Sequence, residues 1–199
     1  MTFRGITTNR GDAGGNTHTM MTTLILLALA IAAAWTFNRL VRDRNQVHAA
    51  WSDVDVQLQR RHDLIPLLVE TVRGYGTHES TLLTRLVAER KAAQASTGPA
   101  ARGEAETVLG RDIGQLIALG EAHPELRASD NFLQLARELV EVEDTIQHAR
   151  RFYNGSVRQY NTHLQRFPDL LLARALRFHP AQFFAADDDA RDAVAVALD

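Results

Sequence analysis

Between residues 47 and 72 the apolar positions recur in alternating steps of four and three. Val47, Trp51, Val54, Leu58, Ile65, Leu68 and Val72 mark the rhythm, and Arg61 stands where another apolar residue is due. A stripe of this kind is the buried seam of a long helix facing other helices. A second long stripe runs through Phe132, Leu135, Leu139, Val142, Ile146, Ala149, Tyr153, Val157, Tyr160, Leu164 and Phe167. The other faces of that segment carry acidic residues and arginines, and Pro168 ends it. Two shorter patterns lie between. Residues 77–95 present a wide apolar face with Leu82, Leu83, Leu86 and Val87. Residues 104–120 carry Val108, Leu109, Ile113 and Leu116, weakened by Gly110 and Gly114.

The punctuation agrees with four helices. Pro66 disfavours helix at the residue before it, but the seam keeps its spacing across the proline, so a kink is expected there rather than a stop. Gly74-Tyr75-Gly76 is the stronger break, with Thr77 as N-cap and Glu79 in the first turn of the second helix. A competing topology turns at residues 63–65 and runs the second helix through to Ala95. Ser96-Thr97-Gly98-Pro99 is a turn signal, and Ser129 or Asp130 caps the last long helix.

Residues 20–37 contain no charge, and their centre reads LILLALAIAAAW. Eighteen helical residues span roughly 27 Å, enough to cross the hydrocarbon slab. Trp35 and Phe37 suit an aromatic belt at its edge. The competing reading is a signal peptide cleaved at the Ala32-Ala33-Ala34 run. No basic stretch stands directly before the apolar run, and the helical seam begins soon after it, which favours a retained anchor. Residues 1–19, rich in Gly, Thr and Asn, read as disordered, and Met20 or Met21 is an alternative start. Residues 185–199 form an acidic, alanine-rich flexible tail. Arg39, Arg42 and Arg44 after the span favour a cytoplasmic soluble domain by the positive-inside rule, with the periplasmic side as the alternative.

The fold class is therefore all-α: an N-terminal transmembrane helix followed by an antiparallel four-helix bundle with long first and last helices. The outer two helices, each about 38 residues, measure on the order of 57 Å, and the middle two about half that. The middle pair can cover only the half far from the membrane. A two-helix stalk around Trp51 and residues 153–167 would keep uncovered apolar surface, which implies self-association or a membrane-protein partner. Residues 170–184 would lie near the lipid surface.

A net charge of −2, with no basic stripe, argues against nucleic-acid binding. The absence of cysteine excludes disulfides, thiolate metal sites and cysteine nucleophiles.

Three segments, AWSDVDVQLQRRHDLIPLLVETVRGYGTHE (50–79), LRASDNFLQLARELVEVED (126–144) and ARRFYNGSVRQYNTHLQRFP (149–168), resemble in order the signature segments of the bacterial LemA family. The resemblance spans residues 38–184. It implies a single-pass protein of the bacterial inner (cytoplasmic) membrane with an antiparallel helical bundle, and it brings no catalytic residues or cofactor. The chain lacks the lipobox cysteine of lipoprotein-like relatives, which again favours an anchor.

The individual sites have plain structural readings. Asp144 and His148, with Glu141 nearby, form only one acidic-histidine cluster. A di-iron bundle needs a second, so a solvated face is the better reading. Arg61, inside the seam, must snorkel or find a carboxylate. Glu138, Glu141 and Glu143 of the last helix are the candidates, an anion site is the alternative, and Arg61→Leu should be tolerated if the arginine is only structural. Arg60, Arg150 and Arg151 complete two arginine pairs. Tyr153-Asn154 and Tyr160-Asn161 repeat at a spacing of seven and share a face. They read either as seam packing with hydroxyls at the rim or as a hydrogen-bonding ladder for a partner helix. No nucleophile-base order, phosphate loop or carboxylate pair stands out. The functional expectation is a membrane-anchored interaction or scaffold protein, with envelope stress or quality control as its candidate setting. The alternative is an enzyme, or a small-molecule or metal sensor, with a site in the bundle core.

Overall fold

The structure, a computed structural model, describes residues 13–75 and 80–184, with side chains from residue 18. All regular secondary structure among them is helical: α1 (Ala13–Gly74), α2 (Ser80–Ala95), α3 (Pro99–Ala122), the single turn α4 (Pro124–Arg127), α5 (Asp130–Gln165) and the short α6 (Asp169–Ala175).

α1 is one helix of 62 residues, about 93 Å long. It joins the apolar N-terminal run to the first seam without a joint and continues through Pro66. It begins at Ala13, inside the stretch expected to be disordered. Residues 1–12, the Thr77 and Glu79 start signals, and the acidic tail lie outside the described residues. Among the described residues one helix is long and apolar enough to cross a membrane, and its apolar part is almost wholly unburied by the rest of the chain.

α1 and α5 run antiparallel as the backbone of the molecule. Their contacts descend in order from Arg39 with Asp169, just past the end of α5, through Trp51 with Tyr153 and Arg61 with Glu143, to Thr71 with Asn131. The seams are buried along most of the predicted stripes, with Leu40, Val54, Leu58, Ile65, Leu68 and Val72 on α1 and Phe132, Leu139, Val142, Ile146 and Val157 on α5, but Phe167, the last position of the second stripe, lies past the end of α5 and is exposed. α2 and α3 form a hairpin over the Gly74 half of this pair. It is tied by Arg85 to Asp112 and by Arg90 Nε donating to the His62 carbonyl at 2.8 Å.

α3 starts at Pro99, five residues earlier than the apolar pattern implies, because proline at the first helical position costs no hydrogen bond. Its glycines do not break it. At Gly120 a Cβ would lie 2.1 Å from the Phe132 ring, so the glycine is what admits α5 to close contact. Ser129, rather than Asp130, caps α5, its hydroxyl accepting from the Phe132 N–H at 3.4 Å.

The near half departs from expectation. The surface around Trp51 and Tyr153 is not left as a bare stalk, because the chain returns after α6 and covers it with an extended strap, residues 178–184. The strap is launched by a Schellman-type turn. The Phe178 N–H donates to Ala173 O at 2.9 Å and the Arg177 N–H to Arg174 O at 3.3 Å, with Arg177 at φ 55° where glycine is usual. Trp51 consequently packs between Tyr153 and Phe184, at ring separations of 5.3 and 5.8 Å.

Candidate functional site

Two polar constructions are built into the helical seams, one at the position where the α1 stripe is interrupted and one along the α5 stripe. The first surrounds Arg61, 2% exposed, in the middle of the α1 seam. Its guanidinium pairs with the buried Glu106 carboxylate of α3 and donates to the Glu106 carbonyl at 3.1 Å. It reaches Glu143 of α5 at 2.6 Å. His62 Nε2, fully buried, lies 2.8 Å from the other Glu106 oxygen. Arg102 approaches the same carboxylate at 3.6 Å and Asp55 at 3.4 Å, while Gln147 donates to Glu143 at 2.6 Å. One arginine thereby ties α1, α3 and α5 together.

Gly110 makes room for this. A Cβ there would stand 3.2 Å from Arg61 Nη1. Burial pushes the Glu106 carboxyl up, but the close approach of the His62 imidazole and the Arg61 guanidinium outweighs it and holds the group below its ordinary value. Of the carboxylates expected for Arg61, Glu143 is a partner. Glu106 escapes the sequence reading because α3 carries it on a helix whose register the glycines obscure. With Glu106 as its partner, Arg61→Leu would strip a buried carboxylate of its main counter-charge, so even a purely structural Arg61 is expected to be costly to replace. A cavity of about 330 Å³ opens beside the cluster, bordered by Arg61, Glu106, Arg111, Glu143 and Arg150. The Arg61, Glu106 and Glu143 groups in its wall are already paired.

The second construction is the Tyr-Asn repeat. Asn161 grips one residue of the strap through two hydrogen bonds: its Nδ2 donates to Ala181 O and the Ala181 N–H donates to its Oδ1, both at 2.9 Å. Asn154 does the same to Phe184, at 3.2 and 2.9 Å. Tyr160 OH donates to His179 O at 3.1 Å and Tyr153 OH to Gln182 O at 2.7 Å.

The spacing has a simple origin. Seven helical residues advance roughly 10.5 Å, and three residues of extended chain advance about 9–10 Å. A heptad on α5 therefore meets a triplet on the strap, tyrosine with tyrosine and asparagine with asparagine. Burial raises the Tyr153 phenol to about 12, and that of Tyr160 in the same direction, opposed by Arg44 and reinforced by Asp43. Both hydroxyls thus stay protonated as donors. The repeat reads neither seam packing alone nor a partner helix; it reads the backbone of the chain's own strap.

The remaining expected positions are dispersed. Arg60 is exposed, Pro66 half-buried within α1, and Arg150 half-buried beside the Arg61 cavity. Arg151 is exposed and approaches His148 Nδ1 at 2.8 Å. Glu141, Asp144 and His148 face outward. Among the described residues no group of three His, Asp or Glu side chains is placed to hold a metal ion.

Comparison with known proteins matches residues 50–198 to the profile of the LemA family. Relatives include the magnetosome proteins MamQ 1 and MamQ 2 of Paramagnetospirillum magneticum, each 25% identical over 198 residues, covering 85% of this chain and 73% of the relative. Protein LemA of Metamycoplasma hominis is 25% identical over 152 residues, covering 76% of this chain and 69% of its own length.

Proposed function

This chain belongs to the LemA family, and we propose that it is a membrane-anchored scaffold whose helical body, an antiparallel four-helix bundle, offers its open α1–α5 face to a second copy or to another membrane protein. The observation that carries this reading is the continuity of α1. Exposed apolar residues from Met20 to Phe37 pass directly into a buried seam on the same rigid helix. A body held this way cannot swivel on a linker, so one lateral face is presented at a constant height above the bilayer. On that face Val56 is 63% and Phe152 52% exposed, around a shallow cavity of about 430 Å³. Exposed apolar surface of this kind suits a protein contact.

An enzyme or sensor reading would require unpaired reactive groups converging on a core cavity, and beside Arg61 the charges of Arg61, Glu106 and Glu143 are already paired with one another. The anchoring half of the proposal predicts that the full chain stays with membranes through alkaline carbonate extraction, and that Leu27→Lys with Ile31→Lys releases it. Release of the unaltered chain by carbonate would contradict it.

A further inference from the structure

A groove of about 680 Å³ lies where α1 leaves its apolar run, a volume within the range of small-molecule sites. One wall is Ala28, Ile31, Ala32 and Trp35 of α1. The other is the corner between α5 and α6, where Phe167 is 74% exposed. Arg39, Arg166 and Asp169 stand at one end only.

These three charges are not equivalent. Arg39 is spent on Asp169 and on the Trp35 face, 5.3 Å from the ring centre. Arg166 is exposed and makes no ion pair among the described residues. The corner continues into Arg174 and Arg177, both exposed, so the polar end carries net positive charge. The small residues Ala28 and Ala32 leave a furrow running from this end along the span, and Ala28 to Trp35 covers roughly 10.5 Å of helix.

We propose that this groove is a binding site for one anionic phospholipid. Its acyl chain lies against Ala28, Ile31 and Ala32, and its phosphate faces Arg166. The two-part character argues for a lipid over a soluble anion: the apolar furrow is continuous with the membrane-spanning surface, and Arg166 borders the same groove as Trp35, a residue type that favours the bilayer interface. The planar guanidinium of Arg166 matches phosphate oxygens, and a headgroup of net negative charge profits from the basic corner where a zwitterion does not. The inference rests on the anchoring proposed above, which carbonate extraction reads separately.

The test uses the full chain, delipidated in mild detergent and offered equimolar phosphatidylglycerol and phosphatidylcholine with identical acyl chains. Retained lipid is counted by native mass spectrometry. Phosphatidylglycerol should be retained over phosphatidylcholine by roughly fivefold or more. Arg166→Gln should remove that preference, Ala32→Phe should reduce retention of both lipids, and Arg60→Gln, on a remote exposed face, should change nothing. Equal retention of the two lipids, retention of neither, or an Arg166→Gln protein as selective as the parent would overturn the site and leave anchoring intact. Displacement of the lipid by millimolar inorganic phosphate would overturn the acyl half and leave a simple anion site.

Discussion

At the scale of single residues, Arg61 shows how a charged group is kept in a helical seam. The seam alone states that something must neutralise it, and that much is legible in the sequence, as is Glu143. Glu106 is not, because its alignment with Arg61 depends on Gly110 allowing α3 to come close. That is a property of two helices together and of neither alone.

The cluster makes stability depend on pH with a definite sign. Glu106 has its carboxyl held below the ordinary glutamate value of 4.5, so its contribution is complete above about pH 4.5 and is lost as pH falls through the lower folded value. Thermal unfolding followed by circular dichroism should therefore show a steep loss of stability in that acid window. Glu106→Gln should be less stable at neutral pH by about 3–5 kcal/mol, the usual cost of breaking a buried pair, and should flatten the acid loss. An unchanged acid limb in Glu106→Gln would assign that loss to other carboxylates, such as Asp112, also held low: burial raises it but the hydrogen bonds and charge of Arg85 prevail.

At the scale of elements, the long helices are readable because their stripes are long. α5 and the seam of α1 each repeat the same spacing over many turns. The returning strap is not readable. It has no periodic apolar pattern of its own, and its launching turn uses Arg177 in the left-handed region where a glycine would have announced it. The Tyr-Asn repeat is visible as a shared face, but its partner is an extended segment held through backbone atoms, which imposes little sequence signature.

The heptad-to-triplet register yields a local prediction. Asn161→Ala should expose the Ala181 amide to hydrogen exchange while leaving Phe184 protected, and Asn154→Ala should do the reverse. Each substitution removes two hydrogen bonds to the strap, worth together about 1–3 kcal/mol. Simultaneous loss of protection at both amides in either variant would mean that the strap opens as one unit rather than rung by rung.

At the scale of the whole molecule, one uninterrupted helix links an apolar span to a body whose buried faces are filled by its own hairpin and strap. The strap covers the surface around Trp51, and the exposed apolar residues of the pair beyond the anchor are Val56 and Phe152, with Leu67 and Val140 nearer the other end. The most direct test of the scaffold reading is the particle mass of the full chain in mild detergent, by light scattering corrected for bound detergent. More than one copy per particle is expected, reduced to one by Val56→Asp with Phe152→Asp while helix content is unchanged. A single-copy particle for the unaltered chain, or an assembly indifferent to that double substitution, would contradict self-association through this face.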